Sequence, residues 1–171
     1  MLGIAPQFQE KLKSEYGKLK APEEKEPLFF MEQSIGNACG TFALFHALAN
    51  NADSIDLGKG QFKQFYDKAL GLDPKARCQL LAKDDALATA HKECASGGST
   101  DPSKVEHHFI CFVHKNGTLF EIDSGAPFPR SRGKTTEGSF LKDAGKVCLE
   151  EFAKDIPNNL GFSAIALVAE K

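Results

Sequence analysis

The segment His107–Asp123, HHFICFVHKNGTLFEID, carries the pattern that decides the fold class. Two apolar, aromatic and β-branched runs flank Lys115-Asn116-Gly117. An Asn-Gly pair is the favoured centre of a tight hairpin, because both positions must take positive φ. The spacing predicts two antiparallel strands, HHFICFVH and TLFEID. Upstream of them the strongest patterns are helical. From Cys39, the residues Phe42, Ala43, Phe45, His46, Ala47 and Ala49 recur at helical spacing, and Asn50-Asn51 closes the run.

Working outward, Gln61–Leu70 and Ala82–Cys94 read as outer helices, with Asp73-Pro74 between them as a cap and first-turn proline. Pro6 and the charged stretch after it, QFQEKLKSEYGKLK, read as a solvated helix, and Ala21–Pro27 as a loop. Leu28–Met31 is a short strand candidate, and Ser96–Ser103 is polar and turn-rich. Ala126–Pro129 reads as extended, Ser139–Lys154 as an amphipathic helix and Gly161–Ala169 as a final strand. Helices first and strands later predict an α+β domain whose central, largely antiparallel sheet is flanked by helices. No repeat or linker divides residues 1–171, so one domain is expected.

Composition narrows the function. Lys and Arg total 21 against 23 Asp and Glu, for a formal charge of -2, which lacks the positive surface that nucleic acid requires. The start of the chain has no signal-peptide pattern. The longest apolar stretch, Phe162–Ala169, is far shorter than the roughly 20 residues of a spanning helix, so no membrane partner is expected. Five cysteines, at positions 39, 78, 94, 111 and 148, include no CxxC pair. This suits a reduced cytoplasmic protein without a metal site. Cys111 and Cys148 lie in apolar contexts and read as core.

Gly36, Asn37 and Gly40 surround Cys39, which opens the first buried helix. The positive end of a helix favours a thiolate, so Cys39 is the candidate nucleophile. His108 sits in an apolar strand run, where an imidazole needs a polar partner. Asp123 ends the next strand, within reach across the hairpin. In this reading His108 is the general base and proton donor, and Asp123 orients its ring. Gln33, six residues before Cys39, could add a side-chain donor to an oxyanion hole. Taken singly, a strand histidine or a loop aspartate is more often structural and a helix-start cysteine is as readily structural as functional, and His46, His91 and His114 are assigned no role.

The stretch Gln33–Asn50, QSIGNACGTFALFHALAN, closely resembles the active-site signature of the ubiquitin carboxyl-terminal hydrolases, and His108–Asp123 resembles the second signature of that family. The resemblance continues through Pro127–Pro129, Leu141–Cys148 and Phe162–Leu167. It implies a papain-like cysteine protease fold and removal of small adducts or peptide tails from the C-terminus of ubiquitin. It also implies a monomer with ubiquitin as partner and no cofactor. By the same resemblance Cys39 is the nucleophile, His108 rather than His107 the base, Asp123 its partner and Gln33 the oxyanion donor. Ser96–Ser103 matches in position the loop that crosses the active site in that family. Its shortness implies that large folded leaving groups are poor substrates.

Two departures from the family pattern stand out. The N-terminal strands of the family domain are missing, which predicts exposed apolar surface and unpaired backbone at the sheet. After Asp123 the family has Gly and often Arg, where this chain has Ser124, Gly125 and Ala126. Two further readings follow: a shortened, weak or inactive ubiquitin-binding protein, and a hydrolase for a ubiquitin-like modifier.

Overall fold

The computed structural model describes residues 2–4, 14–20, 22, 28–96, 108–153 and 163–168. Along the chain these form β1 (Leu2–Ile4), α1 (Cys39–Asn50), α2 (Gln61–Ala69), α3 (Pro74–Ala82) and α4 (Asp85–Ser96). There follow β2 (His108–Lys115), β3 (Thr118–Ile122), β4 (Arg130–Lys134), α5 (Phe140–Val147), a π-helical turn (Cys148–Ala153) and β5 (Ser163–Ala164). The strands form one sheet in the order β4-β3-β2-β1-β5. Every pairing is antiparallel. Among the described residues, no helix is long and apolar enough to cross a membrane.

The hairpin forms as its residues dictate. Asn116 and Gly117 have φ of 50° and 74°, and Lys115 pairs with Thr118 across a two-residue loop. That left-handed pair matches the twist of the flanking strands. Side chains of β2 then alternate between two buried environments. Cys111 and Val113 join Phe30, Ala43, Phe120 and Ile122 in a cluster on the α1 side. Ile110 packs on the opposite side with Tyr16, Ala126, Cys148 and Phe152. Burial on both faces explains why β2 reads as a nearly continuous apolar run.

α1 is buried on most sides. Phe42, Phe45 and Ala49 face a third cluster with Phe29, Met31, Phe65, Cys78 and Leu81. Full burial of a side chain such as Phe42 contributes about 1.5–3 kcal/mol. Asp73 caps α3 as expected, accepting from the N–H groups of Lys75 and Ala76 at 2.9 Å each, with Pro74 in the first turn.

Several segments differ from expectation. Leu28–Met31 lies outside the sheet, because side chains satisfy its backbone in place of a strand. Asn50 accepts from the Phe29 N–H at 2.8 Å and donates to the Phe29 carbonyl at 2.9 Å. His46 Nε2 accepts from the Met31 N–H at 3.0 Å, and Arg77 donates to the Phe30 carbonyl at 2.9 Å. His46 is thus the neutral acceptor that anchors the approach to Gln33, and burial pushes its pKa down to about 3. The residues after Asp123 turn and bend before β4, where an extended run was expected.

β4 itself, Arg-Ser-Arg-Gly-Lys, has no apolar alternation to betray it. Among the described residues the final strand comprises Ser163–Ala164, paired with β1, and β1 is a strand the sequence pattern does not reveal. The described residues contain only a turn, residues 14–16, of the expected first helix. Residues 97–107, which hold most of the expected crossing loop as well as His107, lie outside the described residues.

Candidate active site

Cys39 is the first residue of α1. The chain reaches it through Asn37, whose φ of 56° supplies the left-handed step that the neighbouring glycines had suggested. The N-cap residue is Ala38, which has no side chain able to cap, and no side-chain cap bond forms there. The Sγ atom instead takes hydrogen bonds from His108 and from the backbone N–H groups of Phe109 and Gly40. A helix start left without a capping oxygen is suited to an anion.

His108 opens β2, next to α1. Its Nε2 lies 2.7 Å from Asp123 Oδ1, leaving Nδ1 as the nitrogen for the thiol. Asp123, 2% exposed, follows β3 directly. Its Oδ1 also accepts from the Gly125 N–H at 2.7 Å, and its Oδ2 accepts from the Tyr16 hydroxyl at 2.5 Å. Cys39, His108 and Asp123 therefore form one connected line across α1, β2 and the end of β3. Gln33 is held against the same turn. Its N–H donates to the Ser124 carbonyl at 2.8 Å, its Oε1 accepts from the Ser124 hydroxyl at 2.7 Å, and its Nε2 donates to the Ile35 carbonyl at 2.7 Å.

Residues 4–153 match the family model of ubiquitin carboxyl-terminal hydrolase, family 1. The chain belongs to that family. It is 43% identical over 160 residues to a ubiquitin carboxyl-terminal hydrolase of Drosophila melanogaster, covering 91% of this chain and 70% of the relative. Against ubiquitin carboxyl-terminal hydrolase isozyme L1 of Rattus norvegicus it is 38% identical over 166 residues, covering 96% of this chain and 74% of the relative. The fold is similar to that of the Trichinella spiralis UCH37 catalytic domain bound to ubiquitin vinyl methyl ester. The TM-score is 0.71 at 22% identity, over 94% of this chain and 72% of that one.

In this hydrolase the electrostatics of the pair follow from geometry. Burial pushes the Cys39 thiol up, but the hydrogen bonds from His108, Phe109 and Gly40 outweigh it and hold the thiol below its usual value. Burial also works against an imidazolium at His108, yet its bonds to Asp123 and Cys39 raise it to about 9. Asp123 resists burial in the same way and stays below the usual carboxylate range, through its His108, Tyr16 and Gly125 bonds. The arrangement thus shifts the pair toward a thiolate beside an imidazolium.

The other described cysteines differ. Burial pushes Cys111 up to about 12 and Cys148 up to about 11, and Cys78 is 1% exposed. Limiting iodoacetamide at pH 7 is therefore expected to label Cys39 ahead of Cys78, Cys111 and Cys148. A peptide map with equal or reversed labelling among the four would contradict that electrostatic picture.

Three parts of the site escape sequence reasoning. Tyr16, in a stretch that reads as solvated helix, is 6% exposed and holds Asp123. Ser124 is recognisable as a departure from the family pattern, but its bond to Gln33 spans 91 positions and no local signal announces it. Glu121 is fully buried between Arg130 and Arg132, and Arg130 stacks over the Tyr16 ring at 4.9 Å. A glutamate at an inward strand position beside two arginines is the one signal that was available for this cluster.

Proposed function

We propose that this family member is a thiol-dependent deubiquitinating hydrolase that cleaves esters, amides or short peptide adducts from the C-terminus of ubiquitin. Residues 1–171 would act as one catalytic domain, as a monomer in the cytoplasm. The observation that carries the reading is the line of hydrogen bonds from Cys39 through His108 to Asp123 at the start of α1. Support for ubiquitin as the partner comes from the family and from the Trichinella spiralis structure, whose similar fold is bound to ubiquitin vinyl methyl ester.

In the first half-reaction the Cys39 thiolate attacks the carbonyl carbon at the ubiquitin terminus, and the carbonyl π electrons move onto oxygen. The Cys39 backbone N–H and the Gln33 amide stabilise that oxyanion, an arrangement in which one donor is worth about 3 kcal/mol of barrier. Collapse breaks the bond to the leaving amine, which takes the proton from the His108 imidazolium, and a thioester remains. In the second half-reaction neutral His108 takes a proton from water, the resulting hydroxide equivalent adds to the thioester, and the thiolate leaves. Asp123 keeps the ring oriented throughout.

The pH profile has a defined sign. With an amide adduct as substrate the imidazolium must supply a proton, so kcat/KM is expected to fall above pH about 9, where His108 loses it. On the acid side it falls as the Cys39 thiolate is protonated, and both limbs belong to the coupled pair. A rate still climbing beyond pH 10 would contradict His108 as the proton donor.

Reaction with ubiquitin vinyl methyl ester tests the proposal as a whole. A single adduct at Cys39 is expected. A cooperatively folded sample that forms no adduct would overturn the proposal, and binding without turnover would favour the inactive ubiquitin-binding reading.

A further inference from the structure

A glutamine amide presents opposite chemistry at its two ends. The NH2 group attracts an oxyanion, and the carbonyl oxygen repels one. Rotation about the last torsion exchanges them at little steric cost, since that torsion is broad and nearly two-fold. For Gln33 to act as a donor, something must decide which end faces the reacting carbonyl.

In this chain two neighbours decide it. The Ile35 carbonyl, 2.7 Å from Nε2, can only accept, so a flipped amide would place two carbonyl oxygens against each other. The Ser124 hydroxyl, 2.7 Å from Oε1, then donates to the opposite end. Ser124 is 2% exposed, and its own carbonyl accepts from the Gln33 N–H at 2.8 Å, so backbone and side chain tie the two residues at once. Ser124 also directly follows Asp123, so the residue that orients His108 and the residue that orients Gln33 share one turn.

We propose that Ser124 is a positioning residue for oxyanion stabilisation. Its hydroxyl pins Gln33 Oε1 to the 123–125 turn, so that the second N–H of Nε2 is left to point at the reacting carbonyl oxygen. This rests on Gln33 being the oxyanion donor and adds how that donor is held in this chain. Ser124 does not touch substrate. Its effect runs through the orientation of Gln33 and therefore belongs to kcat.

A double-mutant cycle on the full chain, with a ubiquitin C-terminal amide as substrate, tests it. Gln33→Ala is expected to lower kcat by about 100-fold, as loss of one oxyanion donor does elsewhere. Ser124→Ala is expected to lower kcat about 5-fold with KM changed by less than about 2-fold, the pattern for an interaction made only in the transition state. In the Gln33→Ala background Ser124→Ala is expected to leave kcat unchanged. Ser124→Gly removes the same hydroxyl and replaces Ser124→Ala if alanine impairs folding, which thermal melts will show.

An equal loss from Ser124→Ala in both backgrounds would mean a merely structural role and would overturn the proposal. An unchanged kcat for Ser124→Ala beside the normal Gln33→Ala loss would overturn the Ser124 assignment alone. An unchanged kcat for Gln33→Ala would remove the donor role of Gln33, and this proposal with it.

Discussion

Turnover of a ubiquitin C-terminal amide is expected to fall by about 10⁴-fold or more in Cys39→Ser, although the side chains differ by a single atom. The reason lies in the pair. The hydrogen bonds that hold the Cys39 thiol below its usual value act on a group already close to ionising, whereas a serine hydroxyl lies far outside the range they can reach. Binding should survive, since α1 and β2 still meet and the size of the side chain scarcely changes. Single-turnover kinetics beside a binding isotherm would check this. A serine variant retaining a tenth of the rate would mean that Cys39 is not the nucleophile.

The second large effect is on stability. Glu121→Gln is expected to lower the free energy of unfolding by about 3 kcal/mol, as removal of one partner from a buried ion cluster does. The Glu121 side chain is 0% exposed, and those of Arg130 and Arg132 are only 11% and 14% exposed. Arg130 binds one carboxylate oxygen through Nε and Nη2. Arg132 binds the other at 2.8 Å and 2.6 Å. Glutamine keeps the volume but leaves two guanidinium groups facing one neutral amide. Urea denaturation with Glu151→Gln as the control would test this. Glu151 pairs with Arg132 from a half-exposed position, so its loss should cost under about 1 kcal/mol. Comparable losses from the two variants would contradict the cluster as a buried unit. A fall in kcat is also expected for Glu121→Gln, because Arg130 packs on Tyr16 and Tyr16 holds Asp123.

The two signals strongest in the sequence are those whose physics is local. The hairpin rests on two adjacent left-handed residues and a period-two pattern, and α1 on apolar spacing within a dozen residues. Both form where the sequence puts them. Cys39, His108 and Asp123 could be singled out because a cysteine at a helix start and polar groups on two neighbouring strands suggest one site, but the choice of these residues over the other cysteines and histidines rests on the family signatures. Leu28–Met31 shows where such reading fails. Its composition is that of a strand, but the donors and acceptors that satisfy it are His46, Asn50 and Arg77, between 15 and 47 positions away. β4 fails for the converse reason: its arginines are held half-buried by charge pairing with Glu121, which hydropathy does not register.

By itself the sequence determined the α+β class, the central hairpin, the buried helix behind Cys39 and the identity of the candidate nucleophile, base and orienting carboxylate. Only the tertiary structure decided what holds those groups. Tyr16 reaches Asp123 across 107 positions, and Ser124 reaches Gln33 across 91. A contact of that kind leaves no period and no local composition, because it depends on how separate elements pack and not on what either segment prefers alone.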